Sequence, residues 1–220
     1  ADRSNLVYRA AAEVLARTKQ SIGLDIELRK RIPMGAGLGG GSSDAAATII
    51  GLNRLLRLGW SSLEMADVGQ SLGSDVPFFL FAPSAFVAGR GETVRPVVVD
   101  GPRWVVLANP GFGVNTKWAY QELAAGRTGV RPLSPAQCEL DRQSRMSWAQ
   151  LIDSAENDFE APVFAAHGKL REIKQSLQAH GAEIALLSGS GATVFGVFTD
   201  QTVARLAQSK LASDPLMTVF

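Results

Sequence analysis

Residues 33–47 read PMGAGLGGGSSDAAA, and five of the seven residues from Gly35 to Gly41 are glycine. A backbone this bare lets N–H groups approach an anion without obstruction by a Cβ atom. Two serines and an alanine-rich run follow, which predicts that a helix begins there with Ser42 or Ser43 as its N-cap. Because a helix N-terminus presents free N–H groups and the positive end of the helix dipole, we interpret the stretch as a phosphate-binding loop.

Two common glycine motifs do not fit this stretch. Gly35, Gly37 and Gly40 match G-x-G-x-x-G, but the dinucleotide fold also needs a strand after the helix that ends in an acidic residue. Two helical patterns follow instead, and residues 45–63 contain no Asp or Glu. A Walker A loop needs a lysine where Gly41 stands. A flexible loop or a close helix–strand crossing stays open as the alternative to phosphate binding.

Composition and charge narrow the class of protein. The chain has 220 residues, of which 46% are hydrophobic and 20% charged, as in ordinary globular proteins. A net charge of +1, without a stripe of Lys and Arg, gives no electrostatic footprint for nucleic acid. The apolar stretches are too short and too interrupted to span a bilayer, no signal-peptide pattern is seen, and the single Cys138 suits a reducing compartment. We therefore expect a cytoplasmic protein that binds neither nucleic acid nor membranes.

Apolar periodicity predicts an α+β chain. The last third is expected to form an antiparallel sheet with helices on one face, and residues 125–146 are expected to form an irregular surface loop or connection. Helices are predicted after a cap at Ser4 or Asn5 and over residues 45–58, 62–72, 115–124, 158–166, 168–179 and 200–212. Strands are predicted over residues 22–28, 78–81, 85–88, 93–99, 104–108, 183–187 and 193–198 and at the C-terminus.

A second candidate segment is LGSDVPFFL, residues 72–80. Asp75 lies in a turn of small residues, and Pro77 favours an extended conformation of the residue before it. A carboxylate at the start of an apolar run is well placed to accept a proton or to hold a metal. A turn or capping role for Asp75 is the alternative, which the segment alone favours.

A third candidate segment is LLSGSGATVFGVF, residues 186–198, in which two strand-like runs flank a Gly-Ser-Gly turn. Alone it predicts a hairpin, and its functional interpretation is a second backbone-lined wall for an anionic ligand. His167 and His180 have no partner spacing that indicates a metal site, and the sequence identifies no metal ligands. The acidic cluster in IDSAENDFE, residues 152–160, is interpreted as the solvated start of a helix.

In this order, the three segments resemble the GHMP kinase superfamily of small-molecule kinases. The superfamily motif Pro-x-x-x-Gly-Leu-Gly, followed by small residues, matches residues 33–43. Within the superfamily the sequence is similar to the branch that phosphorylates a diphosphocytidyl methylerythritol in the non-mevalonate isoprenoid route. Further matches to that branch are DRSNLVYRAA (2–11), AFVAGRGE (85–92), NPGFGVNT (109–116) and ENDFE (156–160).

The resemblance implies a two-domain fold and a set of site residues. The expected domains are an ATP-binding α/β domain over residues 1–100, lacking its first strands, and a ferredoxin-like α+β domain over residues 101–220. Asp75 would take the proton from the substrate hydroxyl, Mg²⁺ would accompany ATP, and Asn5 would lie near the adenine. The residues expected to bind the ATP phosphates are Pro33, Met34, Gly35, Ala36, Gly37, Leu38, Gly39, Gly40, Gly41, Ser42 and Ser43. The residues expected to bind the small-molecule substrate are Asp75, Thr116, Tyr120, Gly189, Ser190 and Gly191, with the Tyr120 ring against the cytosine.

The sequence also departs from this branch. Its members carry a Pro-Ala-Lys-Leu/Ile-Asn-Leu motif, whose lysine partners the catalytic aspartate, and a Gly-Tyr-His stretch that clamps the cytosine. Neither motif occurs in the 220 residues. We therefore expect the 220-residue polypeptide alone to be inactive or nearly so, and the parent protein to be a kinase. A nucleotide-binding module without catalysis, and another GHMP kinase such as a homoserine, mevalonate or galactose kinase, are the competing hypotheses.

Overall fold

The computed structural model describes residues 2–81, 83–89, 91, 93–127, 129, 132, 135–140 and 142–220. The chain divides into two compact units. The N-terminal unit contains Ala1–Arg31, Gly39–Val98 and Gln143–Arg145, and the C-terminal unit contains Ile32–Leu38, Val99–Arg142 and Met146–Phe220. No helix in the described part of the chain has the length and apolar content needed to cross a membrane.

The N-terminal unit consists mainly of helices. The Asn5 side chain caps the first helix, and Ser61 and Glu64 form a reciprocal capping box at the start of the third, which ends at Gly73. Small and branched side chains of the first three helices, such as Val14 and Ile49, form its buried core. The elements are α1 (Leu6–Thr18), α2 (Gly40–Leu55), α3 (Ser62–Leu72), α4 (Phe78–Phe81), β1 (Ala85–Ala88) and β2 (Thr93–Pro96), with β1 and β2 antiparallel.

Two strand predictions in this unit are wrong. Residues 22–28 have the alternation of a strand, but a strand also needs a hydrogen-bonded neighbour, and the described residues supply none. Residues 78–81 form the helix α4, because a four-residue apolar run does not distinguish a strand from a buried helical turn. Pro77 suits the start of such a turn, and its carbonyl oxygen accepts from the Leu80 N–H at 3.0 Å.

The segment between the two units is more regular than predicted. Residues 125–146 include the helix α6 (Pro135–Leu140) and the strand β5 (Arg145–Met146), which pairs with β3 (Val98–Val99). A further helix, α7 (Trp148–Ser154), begins with a capping box formed by Ser147 and Gln150 that the sequence analysis missed. Arg90 and Glu92 of the 85–92 motif lie outside the described residues.

The C-terminal unit is built on a four-stranded antiparallel sheet, as predicted. Its order is β6-β7-β4-β8, so β6 lies at one edge of the described sheet. Helices α9 and α10 pack against the sheet and bury a core that includes Leu177, Leu187 and Phe198. The elements are β4 (Trp104–Asn109), α5 (Thr116–Ala125), α8 (Glu160–Ala166), α9 (Gly168–Ala179), β6 (Ile184–Leu187), β7 (Val194–Phe198), α10 (Gln201–Leu211) and β8 (Thr218–Val219).

Candidate active site

The first half of the glycine loop (residues 33–43) is fixed against the turn between β6 and β7. Carbonyl groups would repel an anion, and in this half three consecutive carbonyl oxygens already accept hydrogen bonds within the C-terminal unit. The bonds run from the Ala192 N–H to the Gly35 oxygen (3.2 Å), from the Thr193 N–H to the Ala36 oxygen (3.1 Å) and from the Ser188 hydroxyl to the Gly37 oxygen (2.8 Å).

Gly37 shows why this half of the loop requires glycine. Its φ of +73° is in the left-handed region, and an added Cβ atom would overlap the Ser188 carbonyl oxygen and lie 2.9 Å from that of Gly191. The absent side chain therefore makes room for protein backbone within the same unit. This close contact joins a loop and a turn, and is not the helix–strand crossing that the sequence left open.

The second half of the loop begins α2 in the N-terminal unit. Gly39 is the N-cap at φ +62°, and a Cβ atom there would lie 2.8 Å from the Phe79 ring. The prediction of Ser42 or Ser43 as N-cap is therefore wrong, because the left-handed Gly39 starts the helix several residues earlier. Both serines lie in the first helical turns, where the Ser43 hydroxyl donates to the Gly40 carbonyl oxygen at 3.0 Å.

The start of α2 is chemically suited to an anion. The first N–H groups of a helix have no intrahelical acceptor, and at α2 these groups belong to Gly40, Gly41 and Ser42. Neither glycine carries a side chain, and the first turn contains no acidic residue. The positive end of the helix dipole acts at the same place, so this turn can bind phosphate oxygens.

Asn5 and the apolar residues of the glycine loop have different surroundings. The Asn5 side-chain oxygen accepts the Val7 N–H at 2.9 Å, so the residue serves as the N-cap of α1. Ala36 is buried, Pro33 is exposed and Met34 is 86% exposed. The Met34 side chain therefore contributes little to the packing of its unit and is free to contact a ligand.

Asp75 lies in the N-terminal unit, in the turn between α3 and α4. Its carboxylate is exposed, with the Ser74 hydroxyl 3.4 Å from one oxygen, while the next residue, Val76, is fully buried. Gly91 packs against this turn, because a Cβ atom there would lie 2.6 Å from the Ser74 carbonyl oxygen. The turn thus holds an accessible carboxylate beside a buried anchor.

The predicted substrate residues of the C-terminal unit lie on facing elements. The Thr116 hydroxyl, at the start of α5, lies 3.1 Å from the Ser190 hydroxyl in the turn between β6 and β7. One helical turn later, the 60% exposed Tyr120 ring packs edge-on against Phe159, with ring centroids 4.9 Å apart. Tyr120, Phe159 and Gly189 line a cleft of about 510 Å³, a size typical of small-molecule sites.

The acidic segment at residues 156–160 contributes more than the sequence analysis recognised. Asp158 pairs with Arg127 at this cleft, and Phe159 forms part of its wall. Glu160 is half-buried and accepts from the Leu187 N–H at 3.0 Å, so the interpretation of the cluster as simply solvated is wrong for this residue. The only sequence signal was the ENDFE match.

The predicted site residues thus form two groups, one in each unit. The N-terminal unit holds Asn5, Gly39, Gly40, Gly41, Ser42, Ser43 and Asp75. The C-terminal unit holds Pro33, Met34, Gly35, Ala36, Gly37, Leu38, Thr116, Tyr120, Gly189, Ser190 and Gly191.

Comparison with known proteins identifies the class. Residues 5–82 match the GHMP kinases N terminal domain, and residues 139–215 match the GHMP kinases C terminal domain. A homoserine kinase from Cytophaga hutchinsonii shares the fold, with a TM-score of 0.78 and 19% identity over 99% of this chain and 75% of its own. The chain belongs to the GHMP kinases and has their two-domain fold.

Two closer relatives define the branch. A 4-diphosphocytidyl-2-C-methyl-D-erythritol kinase from Syntrophus aciditrophicus is 40% identical over 100% of this chain and 76% of its own length. A crystal structure of a 4-(cytidine 5'-diphospho)-2C-methyl-D-erythritol kinase is similar with a TM-score of 0.76 and 32% identity, over 99% of this chain and 78% of that one. Within the GHMP kinases, the chain is therefore a member of the 4-diphosphocytidyl-2-C-methyl-D-erythritol kinase family.

Proposed function

We propose that the protein transfers a phosphoryl group from ATP to the 2-hydroxyl of 4-diphosphocytidyl-2-C-methyl-D-erythritol, a step of non-mevalonate isoprenoid biosynthesis. The observation that carries the proposal is the 40% identity with a kinase of that name across the whole chain. The site chemistry agrees with it, because phosphoryl transfer relies on positioning and charge stabilisation more than on covalent catalysis by the protein.

The glycine loop is the proposed ATP site. The N–H groups at the start of α2 bind phosphate oxygens, assisted by the helix dipole and the Ser42 hydroxyl. The first half of the loop presents residues 33–38 to the nucleotide while its carbonyl oxygens stay bonded within the C-terminal unit. Asn5 lies near the adenine and also caps α1.

Asp75 is the proposed general base. Its carboxylate accepts the proton from the substrate 2-hydroxyl as the hydroxyl oxygen forms its bond to the γ-phosphorus and the bond to the ADP leaving group breaks. Exposure of the carboxylate and anchoring of its turn by Val76 support this role. Retention of such a base also argues against a nucleotide-binding module without catalysis.

Thr116, Tyr120 and the turn at residues 189–191 are the proposed acceptor site. The Tyr120 ring offers an aromatic face for the cytosine, with Phe159 supporting the ring from its edge. The hydroxyls of Thr116 and Ser190 supply polar contacts at the start of the same helix. Tyr120 and Gly189 line a cleft whose size is that of a small-molecule site, which supports the proposal.

Mg²⁺ is the proposed companion of ATP. The described residues contain no group of three or more His, Cys, Asp or Glu side chains able to hold a metal. Mg²⁺ keeps several waters and is commonly held by substrate phosphates with only one or two protein ligands. The Ser42 hydroxyl is a candidate ligand, and the bound ion supplies neutralisation of charge on the phosphates.

Further proposals concern the domain boundaries, the cellular compartment and the partners of the protein. Residues 1–100 form the ATP-binding domain and residues 101–220 the second domain of the kinase. The protein acts in the cytoplasm, which the single cysteine and the small-molecule substrate support, and it has no nucleic-acid or membrane partner.

A panel of acceptors tests the proposed reaction. We expect the full-length natural protein to consume ATP with 4-diphosphocytidyl-2-C-methyl-D-erythritol and not with homoserine, mevalonate or galactose, as followed by ADP release and by phosphorus NMR of the product. The 220 residues alone lack the lysine motif and are expected to show little turnover. The homoserine kinase shares only the fold at 19% identity, so its substrate is the informative competitor. Phosphorylation of homoserine in preference to the diphosphocytidyl compound would contradict the proposal.

A further inference from the structure

The Asn157 side chain bridges the end of β6 and the turn that follows it. Its Nδ2 atom donates to the Leu187 carbonyl oxygen at 2.7 Å and to the Gly189 carbonyl oxygen at 2.8 Å. Leu187 is the last residue of β6, whereas Gly189 lies in the proposed acceptor-binding turn. One amide group therefore fixes the direction in which the turn leaves the sheet.

The orientation of this amide follows from its partners. The Oδ1 atom accepts the Phe159 N–H at 2.9 Å, which leaves the Nδ2 atom facing the two carbonyl oxygens. A side-chain amide offers two donors on its nitrogen, and here both have an acceptor. Asparagine is thus the residue that satisfies all three backbone groups at once.

Glu160 has a separate role on the same edge of the sheet. It accepts from the Leu187 N–H at 3.0 Å through Oε1 and pairs with Lys174 at 2.5 Å through Oε2. These bonds cover the free backbone of an edge strand, which is a structural task. The bond from Asn157 to Gly189 reaches beyond the strand, so edge protection does not account for it.

The turn held by Asn157 is joined to the other predicted site residues of the C-terminal unit. Ser188 donates to the Gly37 carbonyl oxygen, and Ser190 lies in hydrogen-bond contact with Thr116. A displacement of the turn would move both hydroxyls together. Because reactive groups need near-exact placement, a shift of about 1 Å can cost about 10²-fold in rate.

We propose that Asn157 is a positioning residue, which holds the turn at residues 188–191 in the conformation that binds the acceptor. The inference rests on the proposed function, since it concerns the acceptor site of that reaction. It assigns a role to the ENDFE segment, which the sequence analysis interpreted as the start of a helix. Asn157 also lines the acceptor cleft, and its proposed role is to hold the turn rather than to take part in phosphoryl transfer.

Asn157→Asp and Asn157→Ala test the inference together. The aspartate is nearly isosteric but turns an oxygen toward two carbonyl oxygens, so it repels the turn that asparagine attracts. We expect kcat/KM for 4-diphosphocytidyl-2-C-methyl-D-erythritol to fall about tenfold in Asn157→Ala and about 10²-fold in Asn157→Asp. The KM for ATP should change less than kcat/KM for the acceptor, because the N–H groups of Ala192 and Thr193 still hold the Gly35 and Ala36 carbonyl oxygens. The backbone amides of residues 188–191 should exchange hydrogen faster in Asn157→Asp.

Asn53→Ala is the matched control. Asn53 bonds both backbone groups of Trp60 at 3.0 Å, and so fixes a loop of the N-terminal unit in the same manner. We expect Asn53→Ala to lower the melting temperature as much as Asn157→Ala does, without changing kcat/KM. Equal kinetic effects in the two variants would overturn the inference.

Hydrogen exchange separates this inference from the proposed function. Exchange is measured without substrate, so unchanged protection at residues 188–191 in Asn157→Asp overturns the positioning role whatever the reaction is. Failure of the unaltered full-length natural protein to phosphorylate the diphosphocytidyl acceptor would instead contradict the proposed function. Faster exchange together with unchanged kcat/KM would show that the turn is held by Asn157 but is not needed for the acceptor, and would also overturn the inference.

Discussion

The first half of the glycine loop, residues 33–38, folds with the C-terminal unit, whereas the second half begins α2 in the N-terminal unit. In the first half, glycine makes room for protein backbone, as at Gly37 against Ser188. In the second half, glycine leaves the N–H groups of Gly40 and Gly41 accessible at the positive end of a helix. Glycine content alone therefore does not identify a phosphate site, and neighbouring atoms decide which role each glycine has.

Gly37→Ala should give the largest change in stability. The new Cβ atom would overlap the Ser188 carbonyl oxygen at a positive φ, and we expect the free energy of unfolding to fall by about 3–5 kcal/mol. Gly101→Ala is the control, since Gly101 has a φ of +76° and open space around it, and it should cost about 1–2 kcal/mol. Equal losses in urea denaturation would mean that backbone crowding is not what requires glycine at position 37.

Ser42→Asp tests the second half of the loop. A carboxylate in the first turn of α2 should stabilise the helix by about 0.3–1 kcal/mol, yet it should raise the KM for ATP about 10- to 10²-fold by repelling the phosphates. Ser62→Asp, in the first turn of α3, should stabilise its helix similarly and leave the KM unchanged. A KM for ATP that stays the same in Ser42→Asp would show that phosphates do not bind at this helix terminus.

The smallest expected effect is on the pH dependence of stability, through the ion pair between Arg103 and Glu183. The Arg103 guanidinium, 2.8 Å from the carboxylate, holds the pKa of Glu183 below its ordinary value of 4.5. The pKa of Glu183 is thus lower in the folded than in the unfolded protein. The stability that this carboxylate contributes is present above the pKa of the unfolded state and is lost as the pH falls through the pKa of the folded state. Below about pH 4.5 the melting temperature of the unaltered protein should fall as Glu183 becomes protonated. We expect the melting temperature of Glu183→Gln to fall less steeply over the same range. An unaltered decline in Glu183→Gln would exclude this pair as a contributor.

Local signals predicted most of the helices and the C-terminal sheet. The cap at Asn5, the stop at Gly73 and the alternating runs of β4, β6 and β7 all act within a few residues of the element they define. The strand predicted at residues 22–28 failed because pairing depends on a neighbour, which alternation does not supply. The helix at residues 78–81 was missed because four apolar residues fit either structure.

The candidate site was predictable where it depends on residue type and less so where it depends on contacts. The glycines and Asp75 were proposed from their segments, and Thr116 and Tyr120 from the family resemblance; their roles stay predictions. The bond of Asn157 to Gly189 joins residues 32 positions apart, so it was visible only in the fold. The same holds for Gly37, whose crowding comes from residues about 150 positions away along the chain.

The most direct test of the account is the turnover of Asp75→Asn with ATP and 4-diphosphocytidyl-2-C-methyl-D-erythritol. Because the amide is nearly isosteric but does not accept the proton, we expect kcat to fall about 10²- to 10⁴-fold with an unchanged melting temperature. Both variants are made in the full-length natural protein. Asp67→Asn, at a 72% exposed aspartate of the same unit, should keep the turnover of the unaltered protein. Turnover of Asp75→Asn equal to that of an active Asp67→Asn control would contradict the account.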